Sequence, residues 1–195
     1  MELKNQIRST LAALETRVIS AGYDREAAVL MPVFEKDCEP HFLLTLRTEE
    51  VETHKGQISF PGGMRHGDES LEATALRETW EEIGIDAERI EILGRFHDYV
   101  SSTDYRVVPY AGYVRSPFQV VPQPTEVAEV LMVPFSVFLD PGRLRTEKMM
   151  KRGALIDVYF YSYNLYQIWG LTARIIKDFL SALSGGQSPV SPNPS

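Results

Sequence analysis

Three carboxylates crowd the end of one short stretch, Glu78, Glu81 and Glu82, followed at once by Ile83 and Gly84. The stretch before them holds Ala73, Ala75, Leu76 and Arg77, all good helix formers. Asp68 or Ser70 can cap its start, Glu69 and Glu72 sit favourably near that end, and Gly84 is a natural terminator. A helix is therefore predicted, with the three glutamates in its last turn. Negative charge there opposes the helix dipole by roughly 0.3–1 kcal/mol per group. Like charges three or four residues apart add about 0.2–0.5 kcal/mol per pair. A cluster that costs stability on local grounds points to a cation that offsets the cost. Oxygen donors of this kind suit Mg²⁺ or Mn²⁺. The plainer alternative is an amphipathic helix with a solvated acidic face. Leu76, Trp80 and Ile83 fall on one side of it, and the glutamates roughly opposite.

The order of the whole segment separates these readings. Gly63 is followed six positions on by Glu69, then by the pair Arg77-Glu78, then by Glu81-Glu82, Gly84 and Ile85. This order resembles the Nudix box. The one departure is Thr79, where the box has a bulky aliphatic residue; Thr79 is β-branched and can still face a core. The resemblance implies a hydrolase that cleaves a nucleoside diphosphate linked to another group. It implies that Glu78 and Glu82 bind the metal and that Glu81 binds metal or helps activate water. It further implies that Arg77 orients Glu78, that Glu69 supports the site, and that the Gly62–Gly63 backbone approaches the metal.

Upstream, Leu43-Leu44-Thr45-Leu46-Arg47 and the run from Gly56 to Gly63 are similar to the extra signature of Nudix coenzyme A pyrophosphatases. Thr48 replaces a small residue of that signature, and Glu52 stands where it has arginine, which reverses a charge. The segments 101–109, 126–134 and 168–173 also look similar to that subfamily, so the resemblance spans roughly 27–180. It implies cleavage of coenzyme A or acyl-CoA to 3′,5′-ADP and 4′-phosphopantetheine or its acylated form. Arg47 and Lys55, beside the Phe60-Pro61-Gly62-Gly63 turn, are the candidate phosphate-binding cations, with Gly62 and Gly63 completing the substrate and cofactor contacts. Glu126 is a candidate base or metal ligand and Glu129 a weaker one. Hydrolysis of another nucleotide, which Glu52 favours, stays open. So does a nucleotide sensor that does not cleave, although every box glutamate is present.

These residues need elements to position them. Ile7, Leu11, Leu14 and Val18 predict an amphipathic first helix. Strands are predicted over 27–34, 42–47, 57–60, 90–100, 107–114, 127–133 and 155–163. A turn is expected at 61–63, a short helix over 135–139 and a closing helix over 171–183. The fold class is α+β, and the resemblance implies a Nudix α/β/α sandwich with a mixed sheet flanked by helices. One domain is expected over 1–184, with a Gly/Pro/Ser-rich disordered tail over 185–195.

The chain has 195 residues, 44% of them hydrophobic, enough for a sizeable core. The net charge of −7 argues against nucleic-acid binding and requires local cations for a polyanionic substrate. No apolar run is long enough to span a membrane, no signal-peptide core is evident, and Cys38 is the single cysteine. A cytoplasmic protein acting on a small nucleotide, without nucleic-acid or membrane partners, is expected; the oligomeric state stays open. Basic residues from Arg143 to Arg152 read either as a solvated loop or as a patch receiving phosphates. Tyr159, Tyr161 and Tyr163 alternate as one face of a strand does.

Overall fold

The computed structural model describes residues 2–48, 56–151 and 153–185. Its centre is a mixed sheet in the order β3-β2-β1-β7-β5, with β4 added on β1, β6 on β7 and β8 on β2. The strands are β1 (Arg25–Lys36), β2 (Glu39–Arg47), β3 (Ile58–Ser59), β4 (Gly62–Met64), β5 (Ile90–Arg95), β6 (Tyr99–Val100), β7 (Tyr105–Val114) and β8 (Val127–Pro134). Strands β1 and β7 run parallel, and every other pairing in this sheet is antiparallel. The architecture is α+β, with the sheet flanked by helices.

Strand alternation builds the layers. Met31 and Val33 of β1, with Phe42 and Leu44 of β2, point into one core. Leu30, Phe34 and Leu43, the intervening residues, point into the other. The first core is covered by α1 (Glu2–Ala13), α3 (Phe135–Leu139) and α4 (Gly170–Leu183). The second is covered by α2 (Leu71–Ile83), through Ala75 and Ile83. A separate three-stranded sheet, β9 (Leu144–Lys151), β10 (Ala154–Tyr163) and β11 (Tyr166–Trp169), packs Tyr159, Tyr161 and Ile168 into the first core. Burial on that strand face accounts for Tyr159 and Tyr161.

Five elements differ from the sequence expectation, among them β11, which no predicted strand covers. Helix α1 ends at Ala13, and Val18 lies beyond it, exposed. The predicted 90–100 strand breaks at Phe96–Asp98. There the side chains of His97 and Asp98 accept from the Arg17 and Ile19 backbone amides at 3.0 and 2.9 Å, capturing the segment after α1. The expected 61–63 turn is in part strand β4, with Gly62 opposite Val29 and Gly63 opposite Ala28. Arg145, Lys148 and Lys151 of the basic region lie on strand β9 rather than in a loop, Arg143 just precedes it, and Arg152 lies outside the described residues; most described side chains of the strand are exposed, so no burial period marks it. Residues 186–195 of the expected tail lie outside the described residues. Among the described residues, no helix is long and apolar enough to cross a membrane.

Candidate active site

Helix α2 brings its last turn to the sheet because both ends are fixed. Ser70 Oγ accepts from the Ala73 amide at 3.1 Å, and Gly84, at φ 69°, donates to the Trp80 carbonyl. The buried face carries Thr74, Ala75, Thr79, Glu82 and Ile83. Trp80, expected on the core side, is 56% exposed. Thr79 takes the core position instead, its hydroxyl donating to the Ala75 carbonyl at 2.7 Å, so a polar side chain is buried without loss. Turning the helix this way carries Glu82 inward, where it is 2% exposed.

Arg77 organises the other carboxylates. Its Nη1 donates to Glu78 Oε1 at 2.7 Å and to Glu81 Oε2 at 3.0 Å. Its Nη2 donates to Glu69 Oε1 at 2.8 Å and to the Met64 carbonyl at 3.0 Å. The guanidinium holds the Glu69 carboxyl down to about 2. Glu78 is pressed against strand β4: a Cβ on Gly63 would stand 2.4 Å from its carboxyl carbon. Only glycine at position 63 admits that approach.

Glu82 is treated differently. It takes a backbone hydrogen bond from Gly62, and its nearest cation is Arg47, whose Nη1 stands 3.6 Å from Oε1. Among the described residues, Glu82 Oε2 and Arg47 Nε have no hydrogen-bond partner. Burial pushes the Glu82 carboxyl up to about 8, against the opposing pull of Arg47. Burial likewise raises the Glu78 carboxyl above its ordinary value, although Arg77 pulls it down.

Arg47 ends β2 at an irregularity in the pairing with β8: Leu46 lies opposite Glu129, and Arg47 opposite Val127. The shift re-aims the strand end, as bulges do. The Thr48 amide donates to the Glu126 carbonyl at 3.0 Å, which keeps Glu126 beside Arg47. Both line one cavity of about 1110 Å³ together with Gly62, Gly63, Glu78 and Glu82. Residues of β9, β10 and the start of α4 also line it, with Lys148 among them.

The structure thus gathers Arg47, Gly62, Gly63, Glu78, Glu82 and Glu126 around one space. Glu81 is set apart: it is not among the lining residues, and its side chain is 45% exposed and turned to Arg77. Glu129 is exposed and accepts from the Tyr166 hydroxyl. Lys55, Glu52 and His54 lie outside the described residues. The sequence does not single out Arg174, which also lines the cavity, or Glu26, Arg65 and Arg106, which hydrogen-bond to one another. None of these carries a local signal, since strand pairing and helix packing bring them in.

The donors suit a hard divalent cation. Among the described residues, no three acidic, histidine or cysteine side chains already form a closed cage. Buried Glu82, with an oxygen that has no partner among the described residues, and half-buried Glu78 nevertheless leave oxygen donors incompletely satisfied by protein, and a cation would complete them.

Residues 24–153 match the family model described as NUDIX domain. A Photorhabdus laumondii subsp. laumondii protein described as an uncharacterized Nudix hydrolase, NudL, is 40% identical over 154 residues, covering 78% of this chain and 82% of that protein. Nudix hydrolase 22, chloroplastic, of Arabidopsis thaliana is 37% identical over 160 residues, covering 78% of this chain and 53% of that protein. A solved C. elegans Ap4A hydrolase binary complex is similar with a TM-score of 0.50 at 19% identity, covering 58% of this chain and 82% of that one. At that identity the likeness speaks for the fold alone.

Proposed function

The chain belongs to the Nudix hydrolase family, and from that premise we propose that it is a pyrophosphatase of coenzyme A or acyl-CoA, dependent on Mg²⁺ or Mn²⁺. Its products would be 3′,5′-ADP and 4′-phosphopantetheine or the acylated form. One observation carries the substrate class. The three stretches that resemble the coenzyme A subfamily, 43–47, 56–63 and 168–173, meet at the same cavity as the box glutamates. Arg47, Phe60 and Leu171 all line it beside Glu78 and Glu82. The space of about 1110 Å³ also exceeds the roughly 300–1,000 Å³ usual for small-ligand pockets, as a long two-armed substrate requires.

A divalent cation, when bound, neutralises the pyrophosphate oxygens, orients the attacking water and stabilises the leaving phosphate. Glu78 and Glu82 would hold it, with Glu81 as the further candidate ligand. Arg77 keeps Glu78 in one rotamer through the 2.7 Å bond. The absence of a side chain at Gly63 lets that carboxylate lie against the backbone. Arg47 would offer its guanidinium to a substrate phosphate, with Lys55 as the second candidate cation. Glu126 faces the cavity and is the candidate acceptor of the water's proton, with Glu81 as the alternative.

The test is a substrate panel with product identification, run with Mg²⁺ and with Mn²⁺. It comprises coenzyme A, dephospho-CoA, ADP-ribose, diadenosine polyphosphates and nucleoside triphosphates. A charged hydrogen bond to the 3′-phosphate, at roughly 1.5–3 kcal/mol, predicts that dephospho-CoA is poorer by about 10- to 100-fold in kcat/KM. Inert coenzyme A alongside rapid turnover of another compound would replace this reading with hydrolysis of that other nucleotide, the outcome Glu52 favours.

A further inference from the structure

We propose that Glu26 is a positioning residue for the metal-binding carboxylates, acting through Arg65, Glu69 and Arg77. The proposal rests on the reading of Glu78 and Glu82 as cation ligands. Glu26 lies on β1, directly opposite Arg106 of β7 in the parallel register. Its Oε1 accepts from Arg106 Nη1 at 2.6 Å, and its Oε2 from Arg65 Nη1 at 2.8 Å. Its backbone carbonyl accepts from the Arg65 amide at 2.9 Å, so one residue grips Arg65 at both ends. Arg65 Nε then donates to the Glu69 carbonyl at 2.8 Å. The Glu69 carboxylate accepts from the His66 amide at 2.7 Å and from Arg77 Nη2 at 2.8 Å. Arg77 closes the series on Glu78 at 2.7 Å.

The near end of this series is the reacting centre, and the far end is fixed. Arg106 Nε donates to Asp98 Oδ2 at 2.8 Å, and Asp98 is fully buried. The Arg106 guanidinium also lies over the Tyr23 ring, 5.6 Å from its centroid. From Asp98 to Glu78, acidic and basic residues alternate without a gap. Glu26 is the link between the anchored part and the segment 65–69, which places Arg77.

A purely structural role is a poor account of Glu26. Its ion pairs are partly exposed, and pairs of that kind add little to stability. Their geometry, in contrast, sets where residues 65–69 hold Arg77, and Arg77 sets the Glu78 rotamer. Groups that orient metal ligands typically change metal affinity about 10- to 100-fold when removed. The expected signature of Glu26→Gln is therefore weaker metal binding with a nearly unchanged fold.

The experiment is a Mn²⁺ titration of the full chain without substrate, following free Mn²⁺ by electron paramagnetic resonance, with thermal melting in parallel. Glu26→Gln should weaken Mn²⁺ binding by about 10-fold and move Tm by no more than a few degrees. Arg65→Lys keeps a charge for Glu26 but loses the guanidinium fork, and should weaken binding similarly, which covers the case of a misfolded Glu26→Gln. In an Arg77→Ala background, Glu26→Gln should change affinity by less than about twofold, because the route it uses is already cut. Full additivity of the two substitutions overturns the proposal. Glu82→Gln serves as the control and should lose binding. Wild-type affinity in Glu82→Gln overturns the reading of the metal centre. Loss in Glu82→Gln with wild-type affinity in Glu26→Gln overturns the role of Glu26 alone.

Discussion

Asp98 and Glu82 are both carboxylates with almost no exposure, 0% and 2%, yet the protein completes one and not the other. Asp98 accepts from the Ile19 amide at 2.9 Å, from Arg106 at 2.8 Å and from Arg95. Glu82 has Arg47 at 3.6 Å and, among the described residues, an oxygen with no partner at all. A buried charge costs several kcal/mol unless it is paired and hydrogen-bonded. Asp98 meets that condition within the chain and ties the segment after α1 to the sheet. Glu82 does not, and it stands in a cavity beside Glu78. The difference is the one the proposed metal site calls for: a buried carboxylate whose coordination the protein leaves unfinished is the candidate for a functional role.

The contrast predicts opposite effects for two isosteric changes. Asp98→Asn should destabilise the fold by roughly 3–5 kcal/mol, because Arg95 and Arg106 lose the charge they enclose. That corresponds to a fall in Tm of about 10 °C for a chain of this size. Thermal melting checks it, and a change within about 2 °C, the equivalent of less than 1 kcal/mol, would show that the two arginines find other partners. Glu82→Gln should do the reverse. Without metal its Tm near neutral pH should hold or rise, since Glu82, its carboxyl pushed up to about 8 by burial, must take up a proton on folding and Gln need not. Its turnover with Mg²⁺ should fall at least about 100-fold, near 2.7 kcal/mol of transition-state stabilisation. Wild-type turnover would remove Glu82 from the metal centre and dissolve the contrast.

Much of this was legible in the sequence, and the exceptions have two causes, weak local patterning and contacts between distant segments. The α2 helix with its Ser70 cap and Gly84 stop follows from local chemistry. So do the buried β1 and β2 runs and the grouping of Glu78 and Glu82 on one turn. Trp80 was misplaced because hydropathy alone assigned the core face, whereas the buried face carries Thr79 and Glu82. Strand β9 was hidden because its exposed residues show no alternation between apolar and polar. The break at Phe96–Asp98 depends on side chains capturing amides some eighty residues away, which no local window contains. The same holds for Glu26, Arg65 and Arg106, which meet only through strand register. Glu81 shares its turn with Glu78 and Glu82, but helix rotation leaves it exposed beside Arg77.

His97 gives the finest test of the completed region. Its ring is nearly buried, and Nδ1 accepts from the Arg17 amide at 3.0 Å, which requires that nitrogen to be unprotonated. Burial first, and then the Arg17 charge, hold its pKa below the ordinary histidine value, against the opposing pull of Asp178 and Asp98. The unfolded chain therefore takes up a proton near pH 6.5 that the folded chain refuses until a lower pH. Stability from this group is complete above about pH 6.5 and declines as pH falls from there towards the folded value. His97→Gln keeps an oxygen able to accept from Arg17 and removes the titration. Its denaturant-unfolding free energy, measured at intervals below about pH 6.5, should fall less steeply with acid than that of the wild type. Parallel curves separated by a constant offset would mean that His97 titrates alike in the folded and unfolded chain, and that the Arg17 amide does not hold its Nδ1 unprotonated.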